Sequence, residues 1–209
     1  MPDPGLTLRP ARPADAPQAA PLIYAAAPNL FRLLFGPTEE EAAHFFARLF
    51  ALPRNPFSYE QATLAECDGT LAGLALAAPV AQRRRLGRRM FYLVPRLRGA
   101  RASLRTLPAG LALMRGDLPS PPEAFYLSIL SVRAERRGQG IGAALLGSVL
   151  RQARLAGCTA TVLHVETDNT DALRFYIRAG FQETARAATV PRLVRQGVSG
   201  FVALERRTE

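Results

Sequence analysis

The most constraining feature of this chain is a glycine-rich turn set between two different apolar periodicities. Residues 124–132 form a mostly apolar run suited to a buried strand. Residues 140–155 place Ile141, Leu145, Leu146, Val149 and Leu150 at helical spacing, and Arg137-Gly138-Gln139-Gly140-Ile141-Gly142 joins the two. Gly157 is a natural C-cap for that helix, and residues 159–165 follow as a strand rich in β-branched residues. A strand–helix–strand unit of this kind joins parallel strands by a right-handed crossover, so the chain must lay helices on a sheet.

The remaining elements extend that unit. Residues 6–9 alternate apolar and polar before Pro10, which reads as a short first strand. Asp15 is placed to cap a helix through about Ala26, and Thr38 with Glu41 forms a capping box ahead of Ala42, Phe45, Phe46, Leu49 and Phe50, predicting a second helix to about Leu52. Residues 62–66 and 71–78 flank Asp68-Gly69, the turn chemistry of a tight antiparallel hairpin. In the stretch after Pro79, Leu86, Met90, Leu93 and Leu97 predict helices interrupted at Pro95 and Pro108. Residues 118–122 read as a stiff proline-rich linker, residues 169–179 as a short helix stopped by Gly180, and residues 181–190 and 198–206 as two closing strands about a turn near Gly197. The expected fold is an α/β sandwich around a mixed sheet of about six to seven strands. It is read as a single domain over residues 1–209, with a helical arginine-rich insertion at about 80–122 between the first hairpin and the strand at 124–132.

Composition narrows the class. At 209 residues, 48% hydrophobic and 21% charged, the chain can bury a sizeable core, which excludes wholesale disorder. No apolar run approaches the roughly 20 residues of a bilayer span and the start lacks a signal-peptide layout, so a cytoplasmic protein is expected. Cys67 and Cys158 fall in no metal-binding or disulfide pattern and read as small buried hydrophobes; no metal site is expected. The chain contains no Lys, so its charge of 27 − 17 = +10 is carried by Arg alone. Ten arginines and no acid lie between Ala81 and Gly116, leaving 17 against 17 elsewhere. Such a segment calls for an anionic ligand, an acidic or phosphorylated acceptor, nucleic acid or a membrane surface, or else is a solvated helical face. Aromatics within it are limited to Phe91 and Tyr92, too few for base stacking, so nucleic acid is disfavoured.

A glycine turn at a helix N-terminus gathers backbone N–H groups that suit a phosphate. Gly138-Gln-Gly140-Ile-Gly142 is not the GxGxxG of a dinucleotide site, and no convincing acidic strand end follows it. The combination instead resembles the GNAT superfamily of N-acetyltransferases, whose acetyl-CoA motif is an Arg or Gln, two residues, Gly, one residue, then Gly or Ala, here Arg137, Gly140 and Gly142. Leu127-Ser-Ile-Leu-Ser-Val132 resembles the family's cofactor-side strand. Asn169, Ala172, Phe175, Tyr176, Gly180 and Phe181 match its second motif. The resemblance is strong over residues 124–186.

The resemblance implies an acyltransferase that moves acetyl from acetyl-CoA to an amine by direct attack in a ternary complex. Arg137 and the N–H groups of Gly138, Gln139, Gly140, Ile141, Gly142 and Ala143 would hold the coenzyme's phosphates, and the strand edge at Leu130 and Val132 its amide arm, with Asn169, Ala172, Phe175 and Tyr176 alongside. The Leu130 N–H is the candidate oxyanion donor, and Tyr176 the candidate acid for the leaving thiolate, its alternative being a core tyrosine. Asn169 is equally a helix cap. Glu166 is the best-placed base for the amine, with Glu60, Asp168 and His164 as competitors. Tyr126 and Ser128 could line the acceptor pocket. The arginine-rich segment would form part of the acceptor wall for a small-molecule or peptide amine with an anionic group, and a homodimer is expected from the resemblance. The competing class is a non-catalytic coenzyme-A-binding or nucleic-acid- or membrane-associated module that works through the insertion.

Overall fold

A computed structural model describes residues 5–36, 38–104, 106, 118, 120–188 and 194–208. Seven strands form one sheet: β1 (Leu6–Pro10), β2 (Ala62–Cys67), β3 (Thr70–Pro79), β4 (Phe125–Val132), β5 (Ala160–Glu166), β6 (Gln182–Ala188) and β7 (Gly200–Arg207). Their spatial order is β1-β2-β3-β4-β5-β7-β6, antiparallel throughout except for the parallel β4–β5 pair. The mixed sheet with its one parallel join is the expected architecture. At the hairpin, Asp68 (φ 51°) and Gly69 (φ 74°) are both left-handed, the two-residue turn whose twist matches its strands. Pro10 ends β1 at the sheet's edge, where its missing N–H leaves no ladder partner wanting.

Helices cover both faces. On one lie α1 (Ala16–Ala25), α2 (Pro28–Phe35), α3 (Glu39–Ala51) and α4 (Val80–Arg98). Their core joins Ile23, Leu49 and a phenylalanine cluster to Leu64, Leu74, Leu76 and Ile129 of the sheet. Phe31 and Phe46 meet edge-on at 4.8 Å and Phe35 stacks on Phe45 at 4.9 Å. On the other face α5 (Ile141–Leu155) and α6 (Thr170–Arg178) bury Ile141, Leu145, Leu146, Val149 and Tyr176 against Ala75, Leu127, Leu163 and Leu204. Cys67 and Cys158 are buried in this second core.

Three local expectations are corrected. Three helices, not two, precede the hairpin, because α2 forms between the expected pair. Pro28 stands in its first turn, and Leu30, Phe31, Leu34 and Phe35 line one side. Pro95 does not interrupt α4, which continues to Arg98. The carbonyl that Pro95 leaves unpaired belongs to Phe91, 63% exposed, where water can satisfy it. Asp15 precedes α1 without a side-chain cap bond, because its carboxylate accepts from the Arg12 N–H at 2.7 Å and from Arg9 at 2.7 and 2.9 Å. Arg9 also reaches Glu66 at 2.7 Å, tying α1's entry to β2, and these bonds hold the Asp15 carboxyl below its usual range. The Thr38 cap forms as expected, accepting from the Glu41 N–H at 3.2 Å. Of the arginine-rich segment, residues 80–98 are helical as α4, while Pro108 and residues 107–117 lie outside the described residues.

Candidate active site

The sheet opens where its parallel join begins. β4 and β5 pair only at Phe125↔Thr161 and Tyr126↔Val162. Beyond that point β4 stays with β3 as far as Val132, and β5 stays with β7 as far as Glu166. From Leu127 onward one edge of β4 therefore has no strand beside it. A bulge marks the divergence: the β3–β4 register shifts between Leu76 and Ala77, opposite Ser128. As a result Leu127 packs into the α5–α6 core, Ile129 into the opposite core, and Leu130 and Val132 back toward α5. The Arg133 N–H bonds the Ala72 carbonyl at 2.9 Å, so alternation along the strand turns the backbone groups of Leu130 and Val132 away from β3, into the opening. The Val132 carbonyl there accepts from Arg137 Nε at 3.4 Å.

A cavity of about 380 Å³ fills this opening. Leu127, Ser128, Ile129 and Leu130 form one wall, Leu163, His164, Val165 and Glu166 the other, and Asn169, Ala172 and Tyr176 of α6 and its cap close one side. On the opposite side stand Leu30, Phe31, Leu34 and Phe35 of α2, with Phe57, Arg83 and Tyr126. The walls are largely apolar, with a few polar groups among them, as befits a site that takes a small molecule and orients it.

Those polar groups are distinctive. The Glu166 carboxyl is raised to about 7, chiefly by burial and then by the neighbouring Asp168 charge. Its Oε1 is buried with no hydrogen-bond partner among the described residues. A carboxylate so placed titrates near neutral pH and has an oxygen available for a proton, the properties of a general base. Tyr176 is 7% exposed, its ring between Phe175 at 5.1 Å and Phe181 at 5.6 Å, and burial raises its phenol well above the usual range. His164 meets the Tyr126 ring edge-on at 5.3 Å, and the Arg83 guanidinium lies 4.1 Å over that ring's centre.

At the far end of the opened edge lies the glycine turn. Gly138 (φ 78°) and Gly140 (φ 81°) are left-handed, and a Cβ on either would meet nothing within 4 Å, so the backbone is both shaped by glycine and open to a ligand. Gly140 caps α5 with no side-chain cap bond, leaving the N–H groups of Ile141, Gly142 and Ala143 as the helix's first-turn donors. Arg137 and Gln139 are exposed beside them, while the Ile141 side chain is buried in the core. Phosphate oxygens fit this donor set: several N–H groups, a helix N-terminus and a guanidinium, with no carboxylate in residues 136–143.

Of the expected site residues, Leu130, Glu166, Asn169, Ala172 and Tyr176 come together in the cavity, as do Tyr126, Ser128 and His164. Val132, Arg137 to Ala143 and Phe175 do not line it. The first eight follow the strand edge outward, and the Phe175 ring backs Gly142, 3.6 Å from where a Cβ would be. The Asn169 side chain caps α6 at the Ala172 N–H, 3.1 Å. Glu60 does not line the cavity, and its carboxylate accepts from the Arg54 N–H at 2.6 Å. The wall that sequence reasoning missed is α2. Its signal was present, since residues 30, 31, 34 and 35 repeat at helical spacing.

A sheet parted between two parallel strands, with a donor-lined glycine turn at the end of the parted edge, defines a mixed α/β fold with an open strand edge. The chain belongs to the Acetyltransferase (GNAT) family, whose profile matches residues 27–181. N-acetyltransferase 8F1 of Rattus norvegicus is 41% identical to it over 75 residues, 36% of this chain and 34% of that protein. The chain thus spans about a third of the length of that curated relative. Among solved structures, an N-acetyltransferase from Staphylococcus aureus Mu50 superposes with a TM-score of 0.70 at 17% identity, over 96% of this chain and all (100%) of that one. The ribosomal-protein-S18-alanine N-acetyltransferase of Escherichia coli gives 0.55 at 14% identity, over 98% and 94%. These two likenesses are of fold. No helix among the described residues is long and apolar enough to cross a membrane.

Proposed function

We propose that this protein is an acetyltransferase that carries acetyl from acetyl-CoA to the amine of an acceptor by direct attack within a ternary complex. The observation that supports it most is the unpaired β4 edge from Leu127 to Val132, which leads from a cavity holding Glu166 and Tyr176 to the donor-lined turn at Gly140. Arg137 and the N–H groups of residues 138–143 hold the coenzyme's phosphates, and the outward backbone groups of Leu130 and Val132 pair with its amide arm as a strand would. When bound, acetyl-CoA supplies an activated thioester carbonyl and a thiol leaving group.

Around that carbonyl the chain's own groups divide the work. Glu166 accepts the proton of the attacking amine through its unpartnered Oε1, which its near-neutral titration suits. The Leu130 N–H, directed into the opening, donates to the carbonyl oxygen as negative charge develops there. Tyr176 donates its phenolic proton toward the departing sulfur. Burial raises the phenol, and the same apolar surroundings raise the proton affinity of a thiolate beside it in the same direction. Asn169 holds α6, and hence Tyr176, in place through its cap. Cys67 and Cys158 lie in the core and line no part of the cavity, which favours direct attack over a cysteine-bound acetyl.

The first test is calorimetric titration of acetyl-CoA into wild type and Gly140→Glu. Binding to wild type that is lost in a folded Gly140→Glu supports the assignment. Equal binding, or none to wild type, overturns it.

A further inference from the structure

The ten arginines between Ala81 and Gly116 are not equivalent. Arg84 and Arg85 are exposed on α4, with Arg84 Nη2 donating to the Ser120 carbonyl at 3.2 Å. Arg98 is spent on fastening α4 to α2, donating to the Leu34 carbonyl at 2.6 Å. Among the described arginines, Arg83 alone lines the cavity. It is half-buried and forms no ion pair among the described residues. What holds it is the Tyr126 ring, 4.1 Å below its guanidinium, and Tyr126 is itself fixed by one of the two register pairs that join β4 to β5.

A guanidinium seated over an aromatic ring spends no N–H on an anion there, and its planar N–H fork matches a carboxylate. An apolar cavity is a poor place for a lone cation unless an anion arrives to meet it. Among the described residues the same cavity carries a single carboxylate, Glu166, which the proposed reaction assigns to the amine. The space beside both is walled by Leu30, Phe31, Phe35 and Phe57. One cavity therefore presents a group for an amine, a group for an anion and an apolar wall for the body of the molecule.

Building on the acetyltransferase reading, we propose that Arg83 determines acceptor specificity, and that the acceptor is an amine carrying both a carboxylate and an apolar side chain. The carboxylate pairs with Arg83, the apolar body rests on the α2 phenylalanines and Phe57, and the amine is directed to Glu166.

The test uses three probes of matched shape, L-phenylalanine, L-phenylalaninamide and phenethylamine, with release of the coenzyme thiol followed for wild type, Arg83→Gln, Arg83→Lys and Arg84→Gln. Comparing each probe across variants cancels the probes' different amine basicities. Arg83→Gln is expected to lower kcat/KM for phenylalanine about 10- to 100-fold, the worth of a hydrogen bond to a charged group, while leaving phenethylamine within about twofold. Arg83→Lys restores part of the loss by keeping the charge without the fork, and Arg84→Gln changes neither probe. A loss shared equally by all three probes, or a wild type that turns over phenethylamine best, overturns the proposal. A binding readout covers a chain that turns over none of them. N-acetyl-L-phenylalanine should bind wild type more tightly than N-phenethylacetamide, and Arg83→Gln should lose the difference. Equal binding of both, or binding of neither, refutes the role of Arg83. Acetyl-CoA titrated into the same preparations separates the two readings, since bound coenzyme without carboxylate preference sinks only the acceptor assignment, and absent binding sinks the transferase reading itself.

Discussion

Replacing Glu166 by Gln removes the proposed base while keeping the shape of the side chain. With its carboxyl at about 7, wild-type Glu166 is ionised in about one molecule in ten at pH 6 and in most at pH 8. For an acceptor amine of pKa above ~9, kcat/KM should rise with a slope of two below about pH 7, where base and amine both deprotonate, and with a slope of one above it. In Glu166→Gln the break near neutrality disappears and a single slope of one remains, with activity at pH 8 reduced by about 100-fold or more. Because that difference comes from the ionised base, it narrows about tenfold by pH 6. Stability should respond in the opposite sense. A carboxyl raised from 4.5 to about 7 favours the fold fully below its unfolded value and loses that advantage as pH rises through 7. The rise corresponds to roughly 3 kcal/mol for a fully buried group, and partial exposure reduces it to about 1–2 kcal/mol. Glu166→Gln, which never ionises, should thus gain about 1–2 kcal/mol relative to wild type between pH 4.5 and pH 8, read from urea unfolding at both. A variant that keeps the neutral break in its rate profile, or whose relative stability does not change with pH, refutes the assignment of Glu166.

Asp168→Asn removes the neighbouring charge that helps raise Glu166, so the break in the wild-type profile should move to lower pH; an unmoved break leaves burial as its only cause. Tyr176→Phe should cut kcat while acetyl-CoA binding by calorimetry stays within about twofold, and unchanged kcat removes the acid role. Gly73→Ala places a Cβ 2.8 Å from the Ser131 carbonyl oxygen, 3.2 Å from Leu145 of α5 and 3.3 Å from Val132. It should cost about 1–3 kcal/mol and lower Tm by about 2–4 °C per kcal/mol, and an unchanged Tm would show that α5 can back away freely. Gly140→Ala meets no atom within 4 Å but must hold φ 81°, so it should cost about 1–2 kcal/mol of stability, checked by thermal denaturation.

The parts of the fold legible in the sequence are those whose cause is local. Asp68-Gly69 names its own turn, Thr38 and Asn169 name their caps, and the glycines at 138 and 140 mark a backbone that only they adopt easily. Glu166, Tyr176 and Leu130 line one cavity, as the strand end and the motif matched by the resemblance led one to expect. The parting of β4 from β5 was not legible in the residues themselves and was implied only by the resemblance, because it consists of hydrogen bonds that are not made, and Leu127 to Val132 reads the same with or without a neighbour. The bulge at Ser128 was hidden for a related reason. In Leu127-Ser-Ile-Leu the apolar residues are too dense to show where the alternation changes phase. Arg83 could not be told from Arg84 and Arg85 until the helix direction and Tyr126 gave each a different surrounding.

The narrow β4–β5 join also bears on how the molecule breathes. Two residue pairs connect a four-stranded block, β1 to β4, with a three-stranded block, β5 to β7, and the α5 crossover is the covalent link between them. Each block has its own antiparallel ladders, so opening along the join breaks few backbone hydrogen bonds, and what resists it is chiefly the α5–α6 core that both blocks share. Amide protons of Phe125 and Val162, which face across the join, should then exchange ahead of those in the centre of β2–β3, despite lying deep in the protein. A molecule spanning both blocks adds cross-links where the sheet has fewest, so its binding would be felt as slowed exchange along the whole join and as a single, sharper unfolding transition.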